Sequence, residues 1–443
     1  MDFVTDKQTL QDLNILGQFK NNSIFSLFNQ TITSGGGRLL ERMFNNPYTE
    51  LEPIERRKQN IAFFEKLNTS LPFTEKEFDE VENYLRNTES KSRIVAAMNI
   101  SRTKFMNFIA QEKEYLVIRE GLERSIVLLK KFRETIKLIV SKSNGTPFYE
   151  KALKLQALLE RKELLEAYEL EGISPLPYKN VFRFDYIFRG LLNDEMEDLI
   201  NEIYSLDVFM AVSDVARKRG FKYAKALDKE QKVIDLKGVF HPAIPNAVDN
   251  DIKIEGNKNV FFLTGANMAG KSTFMKSFSV AVYLAHMGFP VPAKEMTFSV
   301  HDGIYTSINV PDDLAQGYSH FYAEVLRVKH VAEEVASNKQ LVIIFDELFK
   351  GTNVKDAYDG TVSIVDAFSK RLGTFIISTH IMEAGQTLQK SNDRLFFKYL
   401  PTVMKGAVPT YPYKLADGIT DDRHGMIIIE NEKILETIRG GKS

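Results

Sequence analysis

A glycine-rich segment near the middle of the chain has the residue types and spacing of a phosphate-binding loop. After the apolar run 260–263, residues 264–273 read Thr-Gly-Ala-Asn-Met-Ala-Gly-Lys-Ser-Thr, which contains the pattern G-x-x-x-x-G-K-[ST]. Two glycines let the backbone turn so that several N–H groups face one phosphate, and the N-terminus of the next helix adds its positive end. We predict that Lys271 contacts the β- and γ-phosphates and that Ser272 is a ligand of Mg²⁺. The predicted nucleotide-binding residues are Gly265, Asn267, Met268, Gly270, Lys271, Ser272 and Thr273.

Polar residues follow two further apolar runs. Residues 341–345 are continuously apolar, as in a parallel strand covered on both faces, and residues 374–377 repeat this pattern. The first run ends in Asp346 and Glu347 and the second in Ser-Thr-His at 378–380. Alone, such residues are more often a solvated loop start or a structural histidine. Because carboxyl ends of parallel strands share the ligand-binding edge, we predict that Asp346 holds Mg²⁺ through water, Glu347 activates the attacking water and His380 senses the γ-phosphate.

These features together predict an ATPase of the ABC type, in which a signature loop from one subunit completes the ATP site of another. The candidate signature, residues 312–321, reads Asp-Asp-Leu-Ala-Gln-Gly-Tyr-Ser-His-Phe. With Asn-Met-Ala at 267–269 and Asp-Glu-Leu-Phe-Lys-Gly-Thr at 346–352, it resembles the MutS family of DNA mismatch-repair ATPases. Glu324, His241-Pro242 and the segment 413–418 are also similar to that family. The resemblance implies that Ser319 caps the γ-phosphate of the partner subunit's nucleotide, so that Ser319 joins Glu347 and His380 as a catalytic residue.

Several features depart from the family pattern. The sequence starts directly at the family's helical core, without the mismatch-reading and connector domains, so insertion of an aromatic wedge beside a mispaired base is not expected. His320 replaces a Thr, and Phe349-Lys350 replaces a small and a basic residue. Ala247 stands where the family usually has an aromatic residue that stacks on adenine, so base selectivity is expected to be looser. The customary C-terminal dimerising helix-turn-helix is expected to be missing.

The residue pattern predicts a mainly α-helical core and lever domain over residues 1–220 and an α/β P-loop NTPase domain of ABC type over residues 221–443. In the first domain, residues 112–140 and 149–171 are charge-rich helical stretches, separated by a turn cluster at 143–147, and could form an antiparallel hairpin. In the second, strand-like runs alternate with helical ones, which favours a mainly parallel sheet.

Composition limits the class of protein but does not identify it. The formal net charge is -1, so DNA contact would need local patches. The chain has no cysteine and no apolar run long enough to cross a bilayer, and we expect a cytoplasmic protein without a membrane partner. The candidate phosphate-contacting bases are Lys91, Arg93, Arg102, Lys104, Arg119, Arg124, Lys130, Lys131, Arg133 and Lys137, among interleaved acids.

The hypothesis from sequence is an ATP- and Mg²⁺-dependent homodimer that couples ATP hydrolysis to DNA, with other repair proteins as further partners. Two alternatives remain open at this point. The helical arm could bind a protein partner, making the chain a regulatory switch without DNA affinity. Nucleotide binding could also serve only to gate dimerisation, although the intact Asp346-Glu347 pair argues against that.

Overall fold

The computed structural model describes residues 2–17, 23–87, 106–308, 320–405, 408–420 and 434–438. The helices of these residues are α1 Lys7–Asp12, α2 Ile24–Phe28, α3 Ser34–Asn45, α4 Leu51–Leu67, α5 Glu75–Arg86, α6 Met106–Ser143, α7 Tyr149–Leu159, α8 Lys162–Tyr168, α9 Tyr178–Tyr186, α10 Asn193–Arg219, α11 Lys271–His286, α12 His320–Ala336, α13 Val354–Ser369, α14 Met382–Ser391 and α15 Ile434–Ile438. The strands are β1 Lys222–Tyr223, β2 Lys225–Leu227, β3 Val233–Val239, β4 Asn250–Glu255, β5 Val260–Gly265, β6 Pro290–Val291, β7 Glu295–Ser299, β8 Gly303–Ser307, β9 Leu341–Asp346, β10 Thr374–Ser378, β11 Leu395–Leu400, β12 Val403–Lys405, β13 Val408–Thr410 and β14 Ala416–Asp417.

The chain divides into two compact units. The sheet unit contains Met1–Leu27, Met43–Lys58 and Arg219–Ser443, and the helical unit contains Phe28–Arg42 and Gln59–Lys218. Two N-terminal stretches therefore group with the sheets, although they are far from them in sequence. The predicted division into two domains at residue 220 stays a prediction.

A six-stranded sheet forms the centre of the sheet unit. Its strand order is β14-β11-β5-β10-β9-β8, and all neighbours pair in parallel except β14 and β11. The three strands predicted from apolar runs, β5, β9 and β10, are confirmed, and their apolar residues are fully buried. Because β5, β10 and β9 are adjacent and parallel, the polar residues at their carboxyl ends lie on one edge of the sheet.

A second, four-stranded sheet has the order β2-β7-β3-β4 and mixes parallel and antiparallel pairs. Along β4 the buried and exposed residues alternate strictly, as in a strand with one face on the core. The first residue of β4, Asn250, is buried beside the candidate nucleotide cavity described below. This sheet therefore supplies one wall of the site.

The helical unit is built around α10, most of whose residues are buried. The predicted helical hairpin appears as α6 and α7, which contact each other, but the second stretch breaks after Leu159 into two shorter helices. The glycines in the first turn of α3 also have a packing reason: a Cβ at Gly35 would lie 2.0 Å from the Tyr204 ring. Beside it, buried Asp207 accepts hydrogen bonds from Thr33 N and Oγ1, both at 2.7 Å. Close packing against α10 thus accounts for the glycines at 35 and 36, since a Cβ at Gly36 would lie 2.6 Å from Asp207 Oδ2.

Two histidines of the sheet unit are fully buried, and the hydrogen bonds of His286 require its neutral ring. His286 Nδ1 donates to Val282 O at 2.8 Å, and His286 Nε2 accepts from His301 N at 2.9 Å. His301 Nδ1 donates to Ser299 O at 2.7 Å. Burial lowers the pKa of His286 to about 3 and that of His301 to about 4, against 6.5 for an exposed ring.

Acid is therefore expected to destabilise this unit. Because both folded-state pKa values lie below the unfolded value, the unfolded chain binds protons first, and stability is complete above about pH 6.5 and falls as the pH is lowered through it. Each histidine contributes a slope of up to about 1.4 kcal/mol per pH unit. Urea unfolding between pH 8 and pH 5 measures this slope, and His286→Gln should reduce it. An equal slope in both proteins would contradict the assignment.

Candidate functional site

The glycine-rich loop joins β5 to α11, and both of its glycines have positive φ angles. Gly265 has φ +149°, and a Cβ there would lie 3.0 Å from Leu400 O. Gly270 has φ +100°, and a Cβ there would lie 3.0 Å from a ring carbon of Tyr413. Side chains are disfavoured at both positions for conformational and steric reasons. The loop therefore needs glycine at both ends to bring its backbone between β11 and Tyr413.

Lys271, the first residue of α11, lies inside this loop. Its ammonium donates to Gly265 O at 2.9 Å and to Ala266 O at 3.2 Å, and the residue is only 5% exposed. Burial lowers the pKa of Lys271, and the nearby carboxylates of Glu347 and Asp346 oppose that change. The loop thus holds a desolvated cation at its centre, which is the arrangement needed for contact with an anionic ligand.

Asp346, the last residue of β9, contacts hydroxyl groups from two other elements. It accepts hydrogen bonds from Ser272 Oγ of α11 and from Ser378 Oγ of β10. The second contact follows from strand register, because Ser378 pairs with Asp346 in the parallel β9–β10 ladder. A carboxylate and a hydroxyl are thereby placed together beside the glycine-rich loop. These are oxygen ligands of the kind that Mg²⁺ prefers.

Glu347 follows with a left-handed backbone at φ +58°, which is uncommon for a residue other than glycine. Its N–H donates to Ser378 O at 3.0 Å, which helps to hold this conformation. The carboxylate lies 2.9 Å from Lys350 Nζ and 3.9 Å from Lys271 Nζ. His380 Nδ1 is also 3.9 Å away. The unusual backbone therefore turns Glu347 toward the loop lysine.

The charge of Glu347 is stabilised by these neighbours. Burial raises its pKa, but the hydrogen bond and charge of Lys350 lower it, and Lys271 and His380 lower it further. The balance is a pKa below that of an ordinary glutamate. Glu347 is therefore ionised at neutral pH and can accept a proton.

A cavity of about 600 Å³ adjoins the loop, large enough for a small organic ligand. The end of the cavity beside the glycine-rich loop includes Lys271, Ser272 and Glu347, and Ala247 lies on the wall contributed by the segment before β4. The Tyr413 side chain borders the cavity and is 45% exposed. Asn250 holds the backbone of Tyr413 in place, because Asn250 Nδ2 donates to Tyr413 O at 2.9 Å. Another cavity, of about 320 Å³, lies within the helical unit and contains none of the predicted nucleotide-site residues, although two candidate phosphate-contacting bases, Arg124 and Lys131, line it.

The structure thus brings together the loop residues, Asp346, Glu347 and His380 at one edge of the sheet. Asn267, Met268 and Thr273 also line the cavity. Ser319 lies outside the described residues. The sequence interpretation did not predict that Tyr413 lines the cavity or that Ser378 donates to Asp346. It also gave no role to Lys350, which pairs with Glu347. The one signal in the sequence for Ser378 was its position directly after an apolar run, like that of Asp346.

The candidate phosphate-contacting bases on α6 are each paired with an acid. These pairs are Arg119–Glu123, Arg124–Glu80, Lys130–Glu171, Lys131–Glu77, Arg133–Glu160 and Lys137–Glu134. The acids lower the positive potential of this face, so the part of α6 whose side chains are described, residues 115–143, provides no concentrated basic patch. The remaining candidates, Lys91, Arg93, Arg102 and Lys104, lie outside the described residues.

Comparison with known proteins assigns the family. Residues 8–235, just over half of the chain, match the family model for MutS domain III, and residues 261–438 match the model for MutS domain V. The chain belongs to the MutS family.

Individual relatives agree with this assignment. The chain is 28% identical over 319 residues to the DNA mismatch repair protein MutS of Lactococcus lactis subsp. cremoris, which covers 67% of this chain and 37% of that protein. It is 24% identical over 509 residues to the DNA mismatch repair protein MutS of Thermotoga maritima, covering 96% of this chain and 63% of that protein. The chain therefore spans between about one third and two thirds of the length of these relatives.

Two negative findings concern the part of the chain that the structure describes. None of its helices combines the length and the apolar character needed to span a membrane. Within the same residues, no group of three or more His, Asp or Glu side chains is arranged to hold a metal ion. A magnesium ion at the loop would thus have Ser272 and Asp346 as its protein ligands, with phosphate and water oxygens completing the shell. Mg²⁺ usually binds in this way, so the residues present fit the ion.

Proposed function

We propose that this chain is a MutS-type ATPase whose sheet unit is a P-loop domain of the ABC type. The observation that carries the proposal is the convergence of Lys271, Ser272, Asp346 and Glu347 beside the 600 Å³ cavity. This arrangement has a phosphate-binding cation, oxygen ligands for a metal and an ionised carboxylate in one place. ATP and Mg²⁺ are the ligands that use all three.

Each residue then has a distinct part in hydrolysis. Lys271 exchanges its bonds to loop carbonyls for bonds to the β- and γ-phosphates. Ser272 and Asp346 hold Mg²⁺, which when bound neutralises charge developing on the phosphate oxygens. Glu347 orients the attacking water and accepts its proton. His380, exposed beside Glu347, contacts the γ-phosphate.

The nucleobase end of the cavity is expected to be less selective than the phosphate end. Ala247 has no ring to stack on a base, whereas Tyr413 presents an exposed ring on the loop side. We therefore expect Tyr413, and not residue 247, to give a base its stacking contact from these two positions.

We further propose that the chain acts as a homodimer with composite sites, in which Ser319 of the partner subunit caps the γ-phosphate. ATP binding would close the dimer and hydrolysis would reopen it. The family and the names of the relatives support a role in DNA mismatch repair or a related recognition of DNA structure, with other repair proteins as further partners. Because the α6 bases are paired with acids, DNA contact is expected to depend on other surfaces.

The proposal is tested by the steady-state ATPase rate with and without homoduplex, mismatched and branched DNA at fixed, moderate salt. We expect MgATP turnover that one of these DNA forms stimulates or suppresses. Salt must be controlled because phosphate contacts weaken steeply as it rises. A rate unaffected by every DNA, together with no DNA binding at low salt, would contradict the DNA role and favour a switch that binds a protein partner.

A further inference from the structure

The N-terminal residues 3–15, here called the N-terminal strap, lie along β8 in the sheet unit. Val4 forms a parallel bridge with Gly303: Val4 N donates to Asp302 O at 2.8 Å, and Ile304 N donates to Val4 O at 3.0 Å. A Cβ at Gly303 would lie 2.1 Å from Val4 O, so glycine is needed for this approach. The strap therefore covers the edge strand of the six-stranded sheet.

Side chains of α1 bind the carboxyl end of β8. Thr9 Oγ1 accepts a hydrogen bond from Thr306 N at 3.0 Å. The Asp12 carboxylate accepts from Thr306 Oγ1 at 2.8 Å and from Ile308 N at 2.9 Å. Thr9 and Asp12 are both buried. An edge strand leaves backbone donors unpaired, and here the strap satisfies them.

Arg327 of α12 completes this cluster. Its Nη2 donates to Thr306 O at 2.5 Å and to Thr9 Oγ1 at 3.4 Å, and its Nη1 pairs with Asp6. Burial raises the pKa of Asp6, but the hydrogen bonds from Arg327 and Thr9 outweigh this, so the pKa of Asp6 is lowered and the pair stays charged. Because the Arg327 side chain is buried, removing Asp6 would leave the Arg327 charge without this partner. The strap is thus tied to both β8 and α12.

These contacts lie close to the residues proposed for ATP hydrolysis, at the end of the strand next to β9. Ile308 precedes the signature sequence and Arg327 follows it. In the β8–β9 ladder, Ser307 pairs with Phe345, which immediately precedes Asp346. The glycine-rich loop follows β5, which is separated from β8 by β10 and β9. A shift at the end of β8 would therefore reach Asp346 and Glu347 before it reached the loop.

We propose that the N-terminal strap is a positioning element for ATP turnover, in which Asp12 holds the end of β8 so that the β9 edge keeps its reactive geometry. The proposal rests on the proposed ATPase function. It assigns a turnover role to a residue that is 294 positions from its partner in sequence and outside the nucleotide cavity. Asp12 is a positioning residue, because it acts through β8.

The test compares kcat with MgATP affinity. Asp12→Ala in the full chain removes the acceptor of both hydrogen bonds to β8 and is expected to lower kcat by roughly 10- to 100-fold, the loss expected when reacting groups move by up to about 1 Å. The Kd for a fluorescent ATP analogue with Mg²⁺ should not change. Thr306→Val removes one of these hydrogen bonds and should also lower kcat, whereas Thr306→Ser keeps the hydroxyl and should retain kcat. If Asp12→Ala does not fold, the comparison of Thr306→Val with Thr306→Ser tests the proposal by itself.

A control separates positioning from general loss of stability. Tyr283→Phe removes a buried hydrogen bond to Phe44 O, 2.6 Å long, and is expected to lower Tm without changing kcat. Unchanged kcat in Asp12→Ala and Thr306→Val would overturn the strap proposal, and so would a parallel loss of kcat and MgATP affinity. Absence of turnover in the unmodified chain would instead overturn the proposed ATPase function itself.

Discussion

Glu347→Gln is expected to lower kcat for ATP hydrolysis by about 10²–10⁴-fold, the usual contribution of a general base. Glutamine keeps the shape of the side chain but cannot accept the proton of the attacking water. MgATP affinity should be retained, because Lys271 and Ser272 are unchanged. Loss of the carboxylate also leaves Lys350 and Lys271 without the anion that lies 2.9 and 3.9 Å away, which favours an incoming triphosphate.

Phosphate release under single-turnover conditions, together with ATP-analogue binding, measures both quantities. Glu295→Gln is the matched control. Glu295 of β7 forms an exposed ion pair with Lys237 of β3, and neither residue lines the cavity. This control should leave kcat unchanged, since exposed ion pairs contribute little. Turnover that survives in Glu347→Gln would remove Glu347 as the base.

Lys271→Met should abolish most of the affinity for MgATP. Charge-assisted hydrogen bonds contribute about 1.5–3 kcal/mol, which corresponds to a Kd roughly 10- to 150-fold higher. Methionine fills a similar volume without charge, so the loop is expected to fold. The free energy of unfolding should change little, because the buried ammonium bears a desolvation cost that methionine does not.

Two measurements test this expectation. Titration with a fluorescent ATP analogue gives the Kd. The rise of Tm with MgATP reports binding to the folded state alone. At an MgATP concentration of 100 times the Kd, binding adds about 2.7 kcal/mol to the free energy of unfolding. Lys370→Met, which removes an exposed lysine paired with Asp366, is the control and should behave like the unmodified chain. Equal MgATP affinity in Lys271→Met and in the control would show that the loop does not bind phosphate as proposed.

The elements that carry the site were predictable from local pattern. The runs at 260–263, 341–345 and 374–377 are continuously apolar because parallel strands are covered on both faces, and the structure confirms them as β5, β9 and β10. The tight turn at Gly265 and Gly270 was also predictable, since few other residues adopt the positive φ angles that such a turn needs. Placement of Asp346, Glu347 and His380 at one edge follows from the shared direction of the strands.

Other features depend on long-range contacts that no local pattern encodes. The bond from Ser378 to Asp346 needs the register of β10 against β9. The acids opposite the α6 bases come partly from neighbouring elements, so a basic helix in sequence became a charge-paired face in the structure.

By itself the sequence determined the chemistry at the ends of the strands, because residue type and strand direction are local properties. It also determined the family, because the motifs of the loop and of the β9 edge stand at characteristic spacings. The tertiary structure alone decided which hydroxyl groups bind Asp346, which ring borders the cavity and which segment covers β8. These contacts join residues as far apart as Asp12 and Thr306, and only packing of the whole sheet unit brings such residues within hydrogen-bond distance.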